Sequence, residues 1–310
     1  MTDLVSAYGR NHPTHVAFSD ESHHNVGRYR GIGMISMCSE HHAGFDAEMR
    51  RLLKDSNVSE FKWRDLSSAQ HRFAALKIVE WAFEKLLTQF IRIDVLTWDT
   101  QDSRHTVQGR DDIANLERMY YHLFRNVLCH RWPDGSRWKL FPDEQSAIDW
   151  NNMGDVLHNV RSTIDSQREL SEGGKWKLKI KTEFSIHQIC PCISREHALV
   201  QVSDLFVGLG VYSRSNYDCY RTWVTTQDKQ ASFGFQPKAL QKELSRSDRE
   251  RCVVLSILDQ RCKKAKLGVG LKSSCGLRSR NPASALNFWW YEPQVESDKA
   301  PTTRQRKRQG

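Results

Sequence analysis

The sequence predicts an α/β domain built on a mixed β-sheet flanked by helices. Three observations carry this expectation. Segments of alternating or β-rich composition recur between stretches with helical apolar spacing. The first two such segments are separated only by a short polar stretch, as in a hairpin. No internal repeat and no Gly-rich phosphate loop points to another architecture. At 310 residues the chain is long enough for one sizeable domain with appendages, or for two small ones. A hydrophobic content of 39% with ten tryptophans argues for a packed core and against disorder throughout.

The elements follow in order. Residues 14–20 alternate: Val16, Phe18 and Asp20 share one face, and His15, Ala17 and Ser19 the other, which predicts a strand. Residues 31–37 predict a second strand, with Gly27 in the turn between them. Residues 45–53 predict a short helix. Residues 60–63 predict a short strand, with Glu60 and Lys62 on one face and Phe61 and Trp63 on the other. Residues 67–89 place Phe73, Leu76, Val79 and Phe83 at helical spacing. Residues 90–98 are β-rich and predict a central strand. Residues 111–129 predict an amphipathic helix with Ile113, Leu116, Tyr120, Leu123 and Val127 on its apolar side. Residues 138–143 predict a strand stopped by Pro142. A helix over 154–164, an extended run over 175–184, an apolar helix over 196–213 and one or two charged helices over 240–265 complete the pattern. Beyond Lys266 the composition turns to Gly, Ser, Lys and Arg, and 301–310 is expected to be disordered. The expected organisation is a core over 1–225, a C-terminal helical extension over 226–266 and a basic, partly disordered tail over 267–310.

The net charge of +9 is unevenly placed. Residues 261–310 hold 12 Lys/Arg and 3 Asp/Glu, which leaves 34 of each sign before them. A basic tail suggests a polyanionic partner, most simply nucleic acid, although it also serves solubility. The first residues lack the basic and apolar regions of a secretory signal, and no apolar run approaches the roughly 20 residues that span a bilayer. The expectation is a cytoplasmic protein with no membrane partner and eight reduced cysteines. Cys190-Pro-Cys192 does not have zinc-finger spacing. His23-His24 and His41-His42 are expected in turns or at the surface, since catalysis by histidine needs a placed partner. Trp289-Trp290-Tyr291 suits either base stacking or docking of the tail on the core.

Several acids need explaining. Asp204 lies in Leu199-Val-Gln-Val-Ser-Asp-Leu-Phe-Val-Gly-Leu209, a helix apolar on nearly all sides. A carboxylate buried there must be protonated, paired or bound to a cation. Gly208, one turn later, leaves room beside it for another backbone or a substrate. Asp20 ends an apolar strand and is followed by Glu21; Asp143-Glu144 repeats the pattern. Each alone reads equally as a turn former, and Glu60 with Lys62 as a solvated edge pair. Together they suggest carboxylates converging at one sheet edge. Such a set repels itself unless a cation neutralises it, and its hard oxygens favour Mg²⁺ or Mn²⁺.

Asp20-Glu-Ser22, Glu60-Phe-Lys62, Tyr120-Tyr-His-Leu-Phe124, Asp143-Glu144 and Gln201-Val-Ser-Asp-Leu-Phe-Val-Gly208 resemble the landmarks of the domain-of-unknown-function family 3800 (DUF3800). The resemblance covers residues 14–215 and departs where His23-His24 replaces the family's glycine. It implies a ribonuclease H-like fold and a metal-dependent nuclease. Asp20, Glu60, Asp143 and Asp204 would then be the metal ligands, with Asp20 bridging, and Glu21 and Glu144 would be the alternates. Lys62 would contact the scissile phosphate or position the attacking water. The expected activity is two-metal hydrolysis of DNA or RNA, in defence or mobile-element biology, with a homo-oligomer or a defence-system protein as further partner. Two alternatives stand beside it. One is a PD-(D/E)-x-K nuclease using Asp20, Glu60 and Lys62, and the other is a non-catalytic nucleic-acid-binding module.

Overall fold

The computed structural model describes residues 12–22, 27–102, 111–144, 148–155, 157, 184–233, 244–271 and 273–292. Strand β1 (His15–Ser22) pairs antiparallel with β2 (Tyr29–Cys38), which pairs antiparallel with β3 (Ile91–Asp99). Strand β4 (Ser136–Pro142) lies parallel to β1, and β5 (Phe184–Ile189) parallel to β4. After a two-stranded pair, β6 (Val269–Gly270) and β7 (Arg278–Ser279), the chain returns as β8 (Leu286–Trp290), parallel to β3. The sheet order is β5-β4-β1-β2-β3-β8. An antiparallel meander with parallel strands added beside β1, covered by helices, is a ribonuclease H-like mixed sheet.

The helices are α1 (His42–Asp55), α2 (Ala69–Leu87), α3 (Asp112–Leu128), α4 (Ala198–Ser215), α5 (Tyr217–Phe233) and α6 (Arg246–Lys264). Alternation along β1 supplies both faces of the sheet. Val16 and Phe18 join one apolar cluster with Met49, Ile78, Leu205 and Leu255; Ala17 joins the other with Leu116, Tyr120 and Leu123. Helices α1, α2, α4, α5 and α6 contribute to the first cluster, and α3 with residues 148–157 to the second, so β1 is buried on both sides. Ser68, Asp111 and Ser245 cap α2, α3 and α6 by accepting from the amides of His71, Ala114 and Asp248. Helix α4 is buried from Ala198 through Ser213. It lies directly on the sheet because Gly33 has no side chain: a Cβ there would sit 2.6 Å from the Ser203 carbonyl oxygen.

Two expectations need correction, and one open choice is decided. Residues 60–63 form no strand; the chain is extended at Lys62 and then makes a 3₁₀ turn, Trp63–Asp65. The alternation is real, since Phe61 and Trp63 are buried, but the backbone partners are side chains of α4 and not a neighbouring strand. The PD-(D/E)-x-K arrangement thus loses the strand it requires for Glu60 and Lys62. Second, the expected boundaries near 225 and 266 coincide with no break in packing. Cys252 and Leu258 of α6, and Leu286 and Phe288 of β8, belong to the same cluster as β1. The choice concerns the aromatics: Trp289 and Trp290 lie in β8, and the guanidinium of Arg214 sits 3.8 Å from the Trp290 ring centroid, so they dock the segment. The extended run expected over 175–184 lies outside the described residues except for Phe184, where β5 begins. Residues 158–164, 240–243, 301–310 and His23-His24 also lie outside them. Among the described residues no helix is long and apolar enough to cross a membrane.

Candidate active site

Strand register brings the first two acids together. Ser19 of β1 is level with Pro142 of β4, so the next residues, Asp20 and Asp143, lie side by side where β4 ends, two residues before the end of β1. The Asp143 amide donates to the Ser19 carbonyl at 2.7 Å and extends the ladder one step past proline. Phe18 and Phe141 stack at 4.8 Å on the α4 face, and two-residue periodicity sends Asp20 and Asp143 to that same face. Carboxyl ends of adjacent parallel strands are where open α/β sheets place their ligands.

Helix α4 brings the third acid. The Ser203 hydroxyl donates to the Phe18 carbonyl at 2.9 Å, which fixes the helix over β1 and sets Asp204 beside Asp20. Asp204 also orders the segment after α1. Its Oδ2 accepts from the Trp63 amide at 2.6 Å, while Gln201 Oε1 accepts from the Phe61 amide at 2.7 Å. Two acceptors three residues apart on a helix thus match two amides two residues apart on an extended chain. The space expected beside Gly208 is filled by Trp63: a Cβ on Gly208 would lie 2.2 Å from Trp63 Cγ.

Glu60 stands apart from the other acids. It accepts from the Ser194 hydroxyl at 2.5 Å and pairs with Arg195 at 3.4 Å. Lys62 connects it to the group, with Nζ 3.6 Å from Glu60 Oε1 and 3.8 Å from Asp143 Oδ2.

The electrostatics follow from this crowding. Burial pushes the Asp20 carboxyl well above the usual carboxylate range; Asp204, Asp143 and Glu21 push it further, and Lys62 opposes. Burial raises Asp204 to about 6, against the Trp63 amide and Lys62. Burial also raises Asp143, with Lys62 opposing. At Glu60 burial pushes upward but is outweighed by the Ser194 hydroxyl, Lys62 and Arg195, so this carboxyl lies below its ordinary value. Burial alone would lower Lys62, yet Asp20, Asp143, Asp204 and Glu60 raise it, so the ammonium stays charged.

These groups open on a cleft of about 750 Å³ lined by Asp20, Glu21, Lys62, Asp143, Glu144 and Asp204, and also by Arg28, Arg64 and Arg251. Glu21 points differently from Asp20: the Tyr120 hydroxyl of α3 donates to it at 2.8 Å. Glu144 is anchored through its amide to the Cys192 carbonyl at 2.9 Å. His41 and His42 do not line the cleft; they pack on Phe45 and Phe90, and on Phe18 and Phe141. Sequence reasoning missed Ser194, Arg195, Arg64 and Arg251. The first two carried no signal beyond lying shortly before an apolar helix. Arg251 reaches the cleft from a helix 188 residues beyond Trp63, its partner, a pairing no local pattern announces.

The donor set suits a hard cation in its chemistry and not in its spacing. Its oxygens are hard and crowded. Among the described residues no hydrogen-bond donor reaches the carboxylate of Asp20, although that residue is only 5% exposed. An acceptor left so, beside other acids, fits a cation. Among the described residues no three His, Cys, Asp or Glu side chains stand close enough to hold an ion as they are. Lys62 meanwhile supplies positive charge at the same place. The chemistry of the residues fits Mg²⁺ or Mn²⁺, and their spacing requires the side chains to draw in.

No protein-family profile matches the chain. It is 39% identical over 293 residues to the uncharacterized protein ORF2′ of Methanothermobacter thermautotrophicus, covering 92% of this chain and 96% of that protein. It is 38% identical, with the same coverage, to the uncharacterized protein ORF2 of the same organism. The agreement covers nearly the whole of each protein, and the chain belongs to one family with these two Methanothermobacter proteins.

Proposed function

We propose that the cleft is the active centre of a divalent-metal-dependent nuclease that hydrolyses phosphodiester bonds of DNA or RNA. One observation carries the reading: Asp20, buried and without a hydrogen-bond donor among the described residues, faces a cleft shared with Asp143 and Asp204. Acids that serve only structure are paired; these raise one another's proton affinity. Mg²⁺ or Mn²⁺ held by Asp20, Asp143 and Asp204 would supply charge neutralisation and a more acidic bound water. Glu60 would hold the margin through Lys62, with Glu21 and Glu144 as the adjacent alternates. The chain's own groups do the positioning. The Trp63 amide orients Asp204, Tyr120 draws Glu21 aside, and Lys62 offers a donor toward a phosphate oxygen. Membership of the DUF3800 family, a cytoplasmic setting, a homo-oligomer or defence-system partner, and a role in defence or mobile-element biology belong to the same proposal.

The test is cleavage of single-stranded DNA, duplex DNA, RNA and hybrid with Mg²⁺, Mn²⁺ or EDTA. Cleavage is expected with metal and is expected to disappear in EDTA, in Asp20→Asn and in Asp204→Asn. Cleavage surviving both substitutions rejects the site. Cleavage that resists Asp204→Asn but not Lys62→Ala returns the PD-(D/E)-x-K chemistry. Salt-sensitive binding with no cleavage under any metal means a binding module whose acids are structural.

A further inference from the structure

The cleft is lined by guanidinium groups as well as by the acids. For two of these, Arg64 and Arg251, no carboxylate among the described residues lies closer than 3.9 Å. Arg64 has a side chain 82% exposed, with only a 3.9 Å contact to the exposed Asp65. Arg251 arrives from α6, and its Nη2 donates to the carbonyls of Arg64 at 3.1 Å and Trp63 at 3.4 Å. Its guanidinium carbon lies 5.3 Å from the Trp63 ring centroid. Its Nε is buried with no hydrogen-bond partner among the described residues. Arg28 differs, since its guanidinium is committed to Asp99 at 2.6–3.0 Å. Arg251 is tied to the acids by one short path: its partner Trp63 donates its amide to Asp204.

We propose that Arg64 and Arg251 form a phosphate-binding subsite for the nucleic-acid backbone, one that takes a phosphodiester neighbouring the reacting one. An acidic floor repels a polyanion, so a strand crossing it needs cations at the rim. Planar guanidinium forks match phosphate oxygens better than point charges do. Trp63 and the carbonyls it shares with Arg64 preorganise one fork, and Arg64 is free to close over the ligand. The position of this subsite relative to the cleaved bond rests on the nuclease reading; the subsite itself requires only a phosphodiester strand.

The experiment measures anisotropy of a labelled oligonucleotide with full-length Asp20→Asn protein in EDTA, across a KCl series. Arg64→Gln on that background is expected to weaken binding several-fold and to make the slope of log K against log salt shallower by about one. Arg251→Gln is expected to do the same. An unchanged slope for Arg64→Gln, an exposed position whose substitution disturbs no packing, overturns the proposal. An unchanged slope for an Arg251→Gln protein with native circular dichroism also overturns it. The two readings fail separately. A wild-type chain that cleaves nothing, while both variants lose slope, defeats the nuclease and leaves the subsite standing. Cleavage with unchanged slopes does the reverse.

Discussion

Asp94 and Asp20 are buried acids in the same sheet, two strands apart, and their surroundings are opposite. Asp94 on β3 is 1% exposed and accepts from Arg92 at 2.6 and 2.8 Å and from Asn287 of β8 at 3.0 Å. Arg92 spends its remaining donors on the carbonyls of Pro282 and Ala283. Every strong group there has a partner inside the protein. Asp20 on β1 is 5% exposed, has no donor among the described residues, and faces other acids. Burial pushes both carboxyls up. At Asp94 Arg92 and Asn287 push back, whereas at Asp20 the neighbours Asp204, Asp143 and Glu21 add to the effect and Lys62 opposes it. One acid holds strands together; the other is tolerated at a cost to stability, as expected of a group kept for a ligand.

The sharpest way to break this contrast is to compare stabilities. Asp94→Ala leaves Arg92 buried without its charge partner and is expected to cost about 3–5 kcal/mol in urea unfolding. Asp20→Asn is expected to leave stability unchanged or raise it by about 1 kcal/mol, since it removes like-charge repulsion. Equal losses in the two variants would erase the distinction.

A smaller effect tests how Asp204 is supported. Gly208→Ala forces Trp63 away, because the added Cβ would lie 2.2 Å from its ring. A loss of about 1–3 kcal/mol is expected, together with reduced cleavage as the Trp63 amide leaves Asp204. A neutral Gly208→Ala variant with full activity would show that this amide does not matter.

A further effect, of comparable size, is in pH. A carboxyl raised in the folded state contributes stability that is complete below its unfolded pKa and is lost as pH rises through its folded pKa. For Asp204 that window runs from the ordinary value of 3.8 to about 6. In EDTA, the difference in urea midpoint between wild type and Asp204→Asn is expected to move against the wild type as pH rises through this range. A difference that moves the other way would place Asp204 with the paired acids.

Much of the site was legible because its acids sit where the local pattern is wrong for an ordinary surface charge. Asp20 and Asp143 end β-rich runs, and Asp204 interrupts an apolar helix. Glu60 was read with the wrong backbone, because side chains of α4 can replace a neighbouring strand and leave the same alternation. Asp94 was not singled out, although Arg92 two residues earlier shares its strand face and gave the only local hint of pairing. Its second partner, Asn287, is 193 residues away. The edge strand β8 escaped because five strand residues are diluted by a Gly-, Ser-, Lys- and Arg-rich surround, and what makes them a strand is the waiting edge of β3.

That edge bears on biosynthesis. The ladder from Ile93 to Thr97 finds its outer partner only in residues 286–290. While a ribosome is still translating the preceding helices, or after a protease has clipped the chain near residue 280, β3 presents an open row of amides and carbonyls beside apolar side chains. Such an edge recruits other chains. Lesions in residues 286–290 should therefore register first as insolubility during expression, with the distant acids still in place.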